Sequence, residues 1–292
     1  MRKAALFLAI TFGLSWGLAG IYYALGGRLT SPYAIIMLLL YMYTPALSAI
    51  IVQKAIYKEP VMGPLKVSFR WNRWFLVAWL LPLVIALAAM RVSLLFPGVE
   101  FSWGMEGLYE RLATSFPPDQ IAQMKEQAAL LPVHPFWLAM IQGLIAGITV
   151  NAFFGFGEEL GWRGLLQDQL SFLGFWRSSL LIGLIWGVWH TPVIIQGYNY
   201  PASPLIGAFL MITWTLLLSP LFSYVRLRSG SVVAAAIVHG SLNGTIGLSF
   251  MLLKGGNELI VGGMGLAGFI VLFAANLGLW FYDRTYEKEP VA

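Results

Sequence analysis

Phe153-Phe154-Gly155-Phe156-Gly157-Glu158-Glu159-Leu160-Gly161-Trp162-Arg163 is the stretch on which the reading turns. Two adjacent carboxylates close a long, almost uninterrupted apolar run. Arg163 follows Glu159 by four positions, one helical turn, so its guanidinium can reach back to that carboxylate. Ionisable groups at the edge of a lipid-buried segment are costly unless paired or used, and they mark a functional site by default.

Composition sets the class. Of 292 residues, 59% are hydrophobic and 11% are charged, against about 25% charged in a soluble domain. Most of the chain is therefore expected to face lipid. The absence of cysteine excludes a disulfide framework, a thiolate nucleophile and a cysteine zinc site. A net charge of +5 fits basic cytoplasmic loops better than a nucleic-acid partner, and no nucleic acid is expected.

Apolar stretches recur at residues 4–25, 33–53, 74–96, 136–157, 178–197, 205–225, 231–253 and 259–282. Each approaches the ~20 residues that cross a bilayer core. Spanning segments without an edge to pair must be helical, because every backbone polar group has to be satisfied internally. The fold class expected is all-α: a polytopic membrane protein of about eight transmembrane helices. The first stretch is too long for the apolar region of a signal peptide. Pro45, Pro82 and Pro192 are expected to kink their spans. Between residues 97 and 135, Met105–Ser115 and Pro118–Leu131 mix apolar and charged residues at helical spacing, which predicts an interfacial amphipathic helix.

With a cytoplasmic N-terminus, only Arg28, Arg91, Arg111, Lys125 and Lys254 of the basic residues fall outside. This bias predicts a multi-pass protein with both termini cytoplasmic and the Glu pair near the cytoplasmic face. Nothing divides the chain, so residues 1–292 read as one membrane domain with a chemical core at about residues 136–253.

The polar groups gather in the second half: Glu158, Glu159, Arg163, His190, His239 and Asn243. Asn243 follows His239 by four, so both project from one helix face. Ala234, Ala235, Ala236, Gly240, Ser241 and Gly244 around them allow close helix approach. A Glu with a His can hold and deprotonate a water. A second His and an amide can donate hydrogen bonds to the oxyanion that forms when the water attacks a carbonyl. Glu158, His190 and His239 also make a candidate ligand set for a divalent metal such as zinc, although the His-Glu-x-x-His signature is absent. Metal-activated and Glu-activated water both remain open at this level. Singly, each residue has a plainer reading as helix glue or interfacial charge. That reading weakens when costly groups fall together on three spans.

The chain resembles the CPBP intramembrane proteases, which include type II CAAX prenyl endopeptidases and bacterial Abi proteins. Their motifs are Glu-Glu-x-x-x-Arg, Phe-x-x-x-His and His-x-x-x-Asn/Asp, on successive membrane helices. Here they read Glu158-Glu159-Leu160-Gly161-Trp162-Arg163, Trp186-Gly187-Val188-Trp189-His190 and His239-Gly240-Ser241-Leu242-Asn243, with Trp186 in place of Phe. The resemblance implies that Glu158 activates water with help from His190. It implies that His239 and Asn243 stabilise the oxyanion, while Glu159 and Arg163 orient the site.

Family members are described as metalloproteases, and a metal-free glutamate mechanism is also argued for them. Eukaryotic members act on prenylated CAAX proteins, whereas many prokaryotic relatives are linked to bacteriocin immunity or peptide maturation. The function expected is an intramembrane endopeptidase with a membrane-associated protein or peptide substrate, prenylated or not. Its pocket is expected to open towards the cytoplasm. A proton-coupled transporter, or a non-catalytic immunity or scaffold protein, stands as the alternative.

Overall fold

In the computed structural model, residues 2–113 and 116–286 are described. The first three spans are α1 (Arg2–Ala24), α2 (Ala34–Ile50, extended by a π turn over Ile51–Ile56) and α3 (Arg73–Ser93). Asn72 starts α3 by accepting the Trp74 N–H at 3.0 Å, which satisfies one of the helix's orphan donors. Two short helices follow, α4 (Glu106–Leu112) and α5 (Pro118–Leu130). They fall where the amphipathic segment is expected, and Ser115 lies outside the described residues. His134, accepting the Phe136 N–H at 3.2 Å, opens α6 (Pro135–Ile148).

A 48° bend separates α6 from α7 (Val150–Glu159) and its continuation. The bend sits at Thr149, whose hydroxyl donates to the Ile145 carbonyl at 2.7 Å, a back-bond that bends helices. Pro45, Pro82 and Pro192 each lie inside an unbroken helix. After α7 come a π turn (Leu160–Leu166), α8 (Gln167–Gln169), a short 3-10 turn and α9 (Phe175–Ile194). Next are α10 (Pro204–Ser229), α11 (Val232–Thr245), α12 (Leu248–Met251) and α13 (Leu266–Tyr286). Gly230, left-handed at φ 68°, ends α10 as a glycine can at no steric cost. The Ser231 side chain caps α11. A single two-stranded pair, β1 (Glu100–Phe101) with β2 (Leu253–Lys254), is found among the described residues.

Among the described residues, six helices are long and apolar enough to cross a membrane, or seven when the bent α6–α7 pair is counted as one span. The eighth expected span is helical too, since α9 has 20 residues. Its hydropathy is diluted by Arg177, Ser178, Ser179, His190 and Thr191. The chain is an all-α integral membrane protein.

The helices alternate in direction, so Arg2 and the Tyr286 end of α13 lie at one end of the bundle with the 57–72 connection. Ion pairs Lys3–Glu59 at 2.6 Å and Arg228–Asp283 at 2.5 Å tie that end together. Residues 94–113, 116–134, 195–203 and 252–265 form the opposite end. Helix α11 packs closely on α6 and α7. A Cβ on Gly143 would strike the Gly244 carbonyl, one on Gly240 would strike Ala152, and one on Gly147 would come within 2.7 Å of Ser241. In lipid, where burial of apolar surface gives helices no reason to associate, such backbone proximity supplies the dispersion contact that holds them.

Candidate functional site

The site is built where α7, α9 and α11 meet. Glycines on α7 bring it in: a Cβ on Gly155 would lie 3.0 Å from the His239 Cβ, and one on Gly157 would lie 2.8 Å from the Met42 carbonyl oxygen. This seats Glu158 and Glu159 at 2% and 0% exposure. Here the structure corrects an expectation. The Glu pair does not end its helix: the chain continues through the π turn and α8 to Gln169. The pair lies inside the bundle. A π turn opens the helical register at this point, a rare feature frequently met at functional sites.

Two carboxylates side by side face different ways. Glu159 looks inward: Arg163 Nη1 lies 3.0 Å from its Oε2 in a fully buried ion pair, and its Oε1 accepts from His239 Nδ1 at 2.8 Å. The Arg163 guanidinium is held over the rings of Trp186 and Phe222, at 4.5 and 4.9 Å from their centroids. Glu158 looks into a cavity of about 240 Å³. Its Oε2 accepts the indole N–H of Trp186 at 2.7 Å, and its Oε1 lies 3.9 Å from His239 Nε2.

Glu158, His190, His239 and Asn243 all line that cavity. Glu159 and Arg163 do not; they stand behind His239 and Trp186. His190 Nδ1 meets the Trp186 carbonyl oxygen at 2.8 Å, so Nδ1 carries the proton as donor and Nε2 is left for the cavity. His239 is arranged alike, with Nδ1 spent on Glu159 and Nε2 turned towards Glu158. Asn243 is exposed to the cavity.

Trp186 was given no role of its own from the sequence. Its signal was chemical: an indole N–H buried in an apolar helix needs an acceptor. Tyr41, Trp189 and Tyr198 also line the cavity without having been singled out. Tyr41 donates to the Trp189 carbonyl at 2.6 Å.

The mouth of the cavity lies at one end of the bundle. The lining reaches exposed Tyr198 and Asn199, after α9, and Met264, before α13. Those residues belong to the end opposite Arg2, not to the basic end on which a cytoplasmic opening was expected. The depth of a pocket follows from where helices continue, which a hydropathy window does not contain.

Glu158, His190 and His239 offer donors of the kind that zinc takes. Among the described residues, however, no three His, Asp or Glu groups are gathered closely enough to hold an ion. As arranged, the ligand set does not fit a metal.

Residues 132–245 match the family described as type II CAAX prenyl endopeptidase Rce1-like. This stretch is similar to that family. The matched stretch holds Glu158, Glu159, Arg163, His190, His239 and Asn243. A shorter stretch of 44 residues is 43% identical to CAAX prenyl protease 2 of Methanococcus maripaludis, covering 15% of this chain and 16% of that relative.

Proposed function

We propose that this chain is an intramembrane endopeptidase that cleaves a membrane-associated protein or peptide with a water activated by Glu158. The observation that carries this reading is the meeting of Glu158, His190, His239 and Asn243 on one cavity inside a lipid-facing bundle. Similarity to type II CAAX prenyl endopeptidases supports C-terminal processing of a prenylated chain as the reaction.

A water held between Glu158 and the His190 Nε2 gives its proton to the Glu158 carboxylate as its oxygen attacks the scissile carbonyl carbon. The electron pair of the carbonyl moves to oxygen. The Asn243 amide, and His239 when protonated, donate hydrogen bonds to that oxyanion in surroundings where few waters compete. Collapse of the intermediate breaks the C–N bond, and Glu158 returns its proton to the leaving amine. Glu159 takes no part in proton transfer. It keeps the His239 ring in place and is itself held by Arg163. The one-domain organisation over residues 1–292, with its chemistry at about 136–253, belongs to the same proposal.

The test is incubation of the detergent-solubilised protein with a farnesylated CAAX peptide, reading the released tripeptide by mass spectrometry. Release by wild type and none by Glu158→Gln or Asn243→Ala is expected. Equal turnover by folded Glu158→Gln protein would refute the role of Glu158. Solute flux in proteoliposomes with no peptide product would transfer the same groups to a proton-coupled transporter.

A further inference from the structure

Beside the first cavity lies a second, of about 490 Å³. Asn199, Ile246 and Met264 are walls of both, so the two are neighbours across a single layer of side chains. The second cavity is largely apolar, with Phe250, Val261 and Tyr200 among its walls, and two charged side chains reach it.

The two charges are not equivalent. Arg111 donates to the carbonyls of Leu253 and Gly255 at 2.9 and 2.7 Å, which fixes the strand β2 and its turn. Glu258 has far less to hold it. Its Oε2 accepts one long bond from the Ala202 N–H at 3.4 Å. Its Oε1, shielded from solvent, has no hydrogen-bond partner among the described residues. A shielded carboxylate oxygen without a donor is an expensive acceptor. The group that matches it best is a cation able to donate, such as an ammonium or guanidinium.

We infer that the second cavity is a substrate subsite, receiving a lysine or arginine side chain of the peptide that occupies the first. The basic head pairs with Glu258, and the methylene stem lies along Phe250 and Val261, as long cationic side chains do on apolar surface. The Glu258 carboxylate selects against glutamate, which would bring a second carboxylate beside it. This subsite rests on the endopeptidase reading for its occupant, but not for its test.

The probe is a farnesylated, fluorescently tagged CAAX peptide in which one lysine, glutamine or glutamate is walked through the positions on both sides of the scissile bond. Binding is measured on Glu158→Gln protein, so that it does not depend on turnover. At one position lysine is expected to bind about tenfold tighter than glutamate, the scale of one charged hydrogen bond. Adding Glu258→Lys reverses that order, and adding Glu258→Gln levels it while the lysine-free peptide binds as before. Glu258→Gln, nearly identical in size, carries the test should Glu258→Lys fail to fold. The same affinity order in all three proteins, or no binding at any position, overturns the subsite. Wild-type turnover of the same peptides separates the two readings. Cleavage without charge preference sinks the subsite alone, and charge-dependent binding without cleavage sinks the endopeptidase alone.

Discussion

The indole N–H of Trp186 donates to Oε2 of Glu158 at 2.7 Å, and the same ring carries the Arg163 guanidinium on its face. One side chain thus orients the carboxylate proposed as base and links it to the ion pair behind. Trp186→Phe removes the N–H while keeping an aromatic face for Arg163. A hydrogen bond to a charged group is worth about 1.5–3 kcal/mol, so kcat is expected to fall at least about tenfold. KM, which this bond does not reach, should stay within about twofold of wild type. Steady-state kinetics on the farnesylated peptide check this, and an unchanged kcat would leave Trp186 a packing residue.

Arg163 and Glu159 are both fully buried, at 3.0 Å. Removing one partner strands the other charge, at a cost of about 3–5 kcal/mol. Arg163→Met should therefore lower the unfolding midpoint sharply or abolish expression as folded protein. Adding Glu159→Gln should recover much of the loss, since glutamine is neutral yet still offers an acceptor to His239. Thermal unfolding in detergent measures both, and a double variant no better than the single one would contradict the account.

The basic end of the bundle and the mouth of the cavity lie at opposite ends. If Lys and Arg bias places the basic end in the cytoplasm, the cavity is reached from the other side of the membrane. The chain contains no cysteine, so single cysteines report cleanly. A membrane-impermeant maleimide applied to intact cells should label Asn199→Cys and spare Lys58→Cys until the cells are opened. The reverse pattern would turn the protein over and return the cavity to the cytoplasm.

Among the described residues, no three metal-ligating groups converge. Peptide cleavage is accordingly expected to survive a strong chelator followed by dialysis. Loss of activity that zinc restores would show that Glu158, His190 and His239 draw together around an ion.

Much of the fold was legible because span length and helical period are local properties. The apolar runs at 74–96 and 205–225 became α3 and α10 with small shifts at their ends. The cost of charge in lipid singled out Glu158, His190 and His239, and helical spacing paired Glu159 with Arg163. Within the Met105–Ser115 segment, helix α4 (Glu106–Leu112) packs against β2, where a Cβ on Gly107 would collide with the Leu253 carbonyl. Span counting alone did not foresee that contact.

By itself the sequence determined that this is a helical membrane protein whose costly polar groups lie on three of its spans, since the penalty for a charge in hydrocarbon attaches to the residue wherever its helix packs. Only the tertiary structure decided how deep Glu158 sits, which of two adjacent carboxylates faces the cavity, that Trp186 reaches it, and that Glu258 stands over a second cavity. Those outcomes depend on how far each helix continues past its polar residue and on contacts between segments distant in the chain, such as Gly155 against His239, to which no local pattern refers.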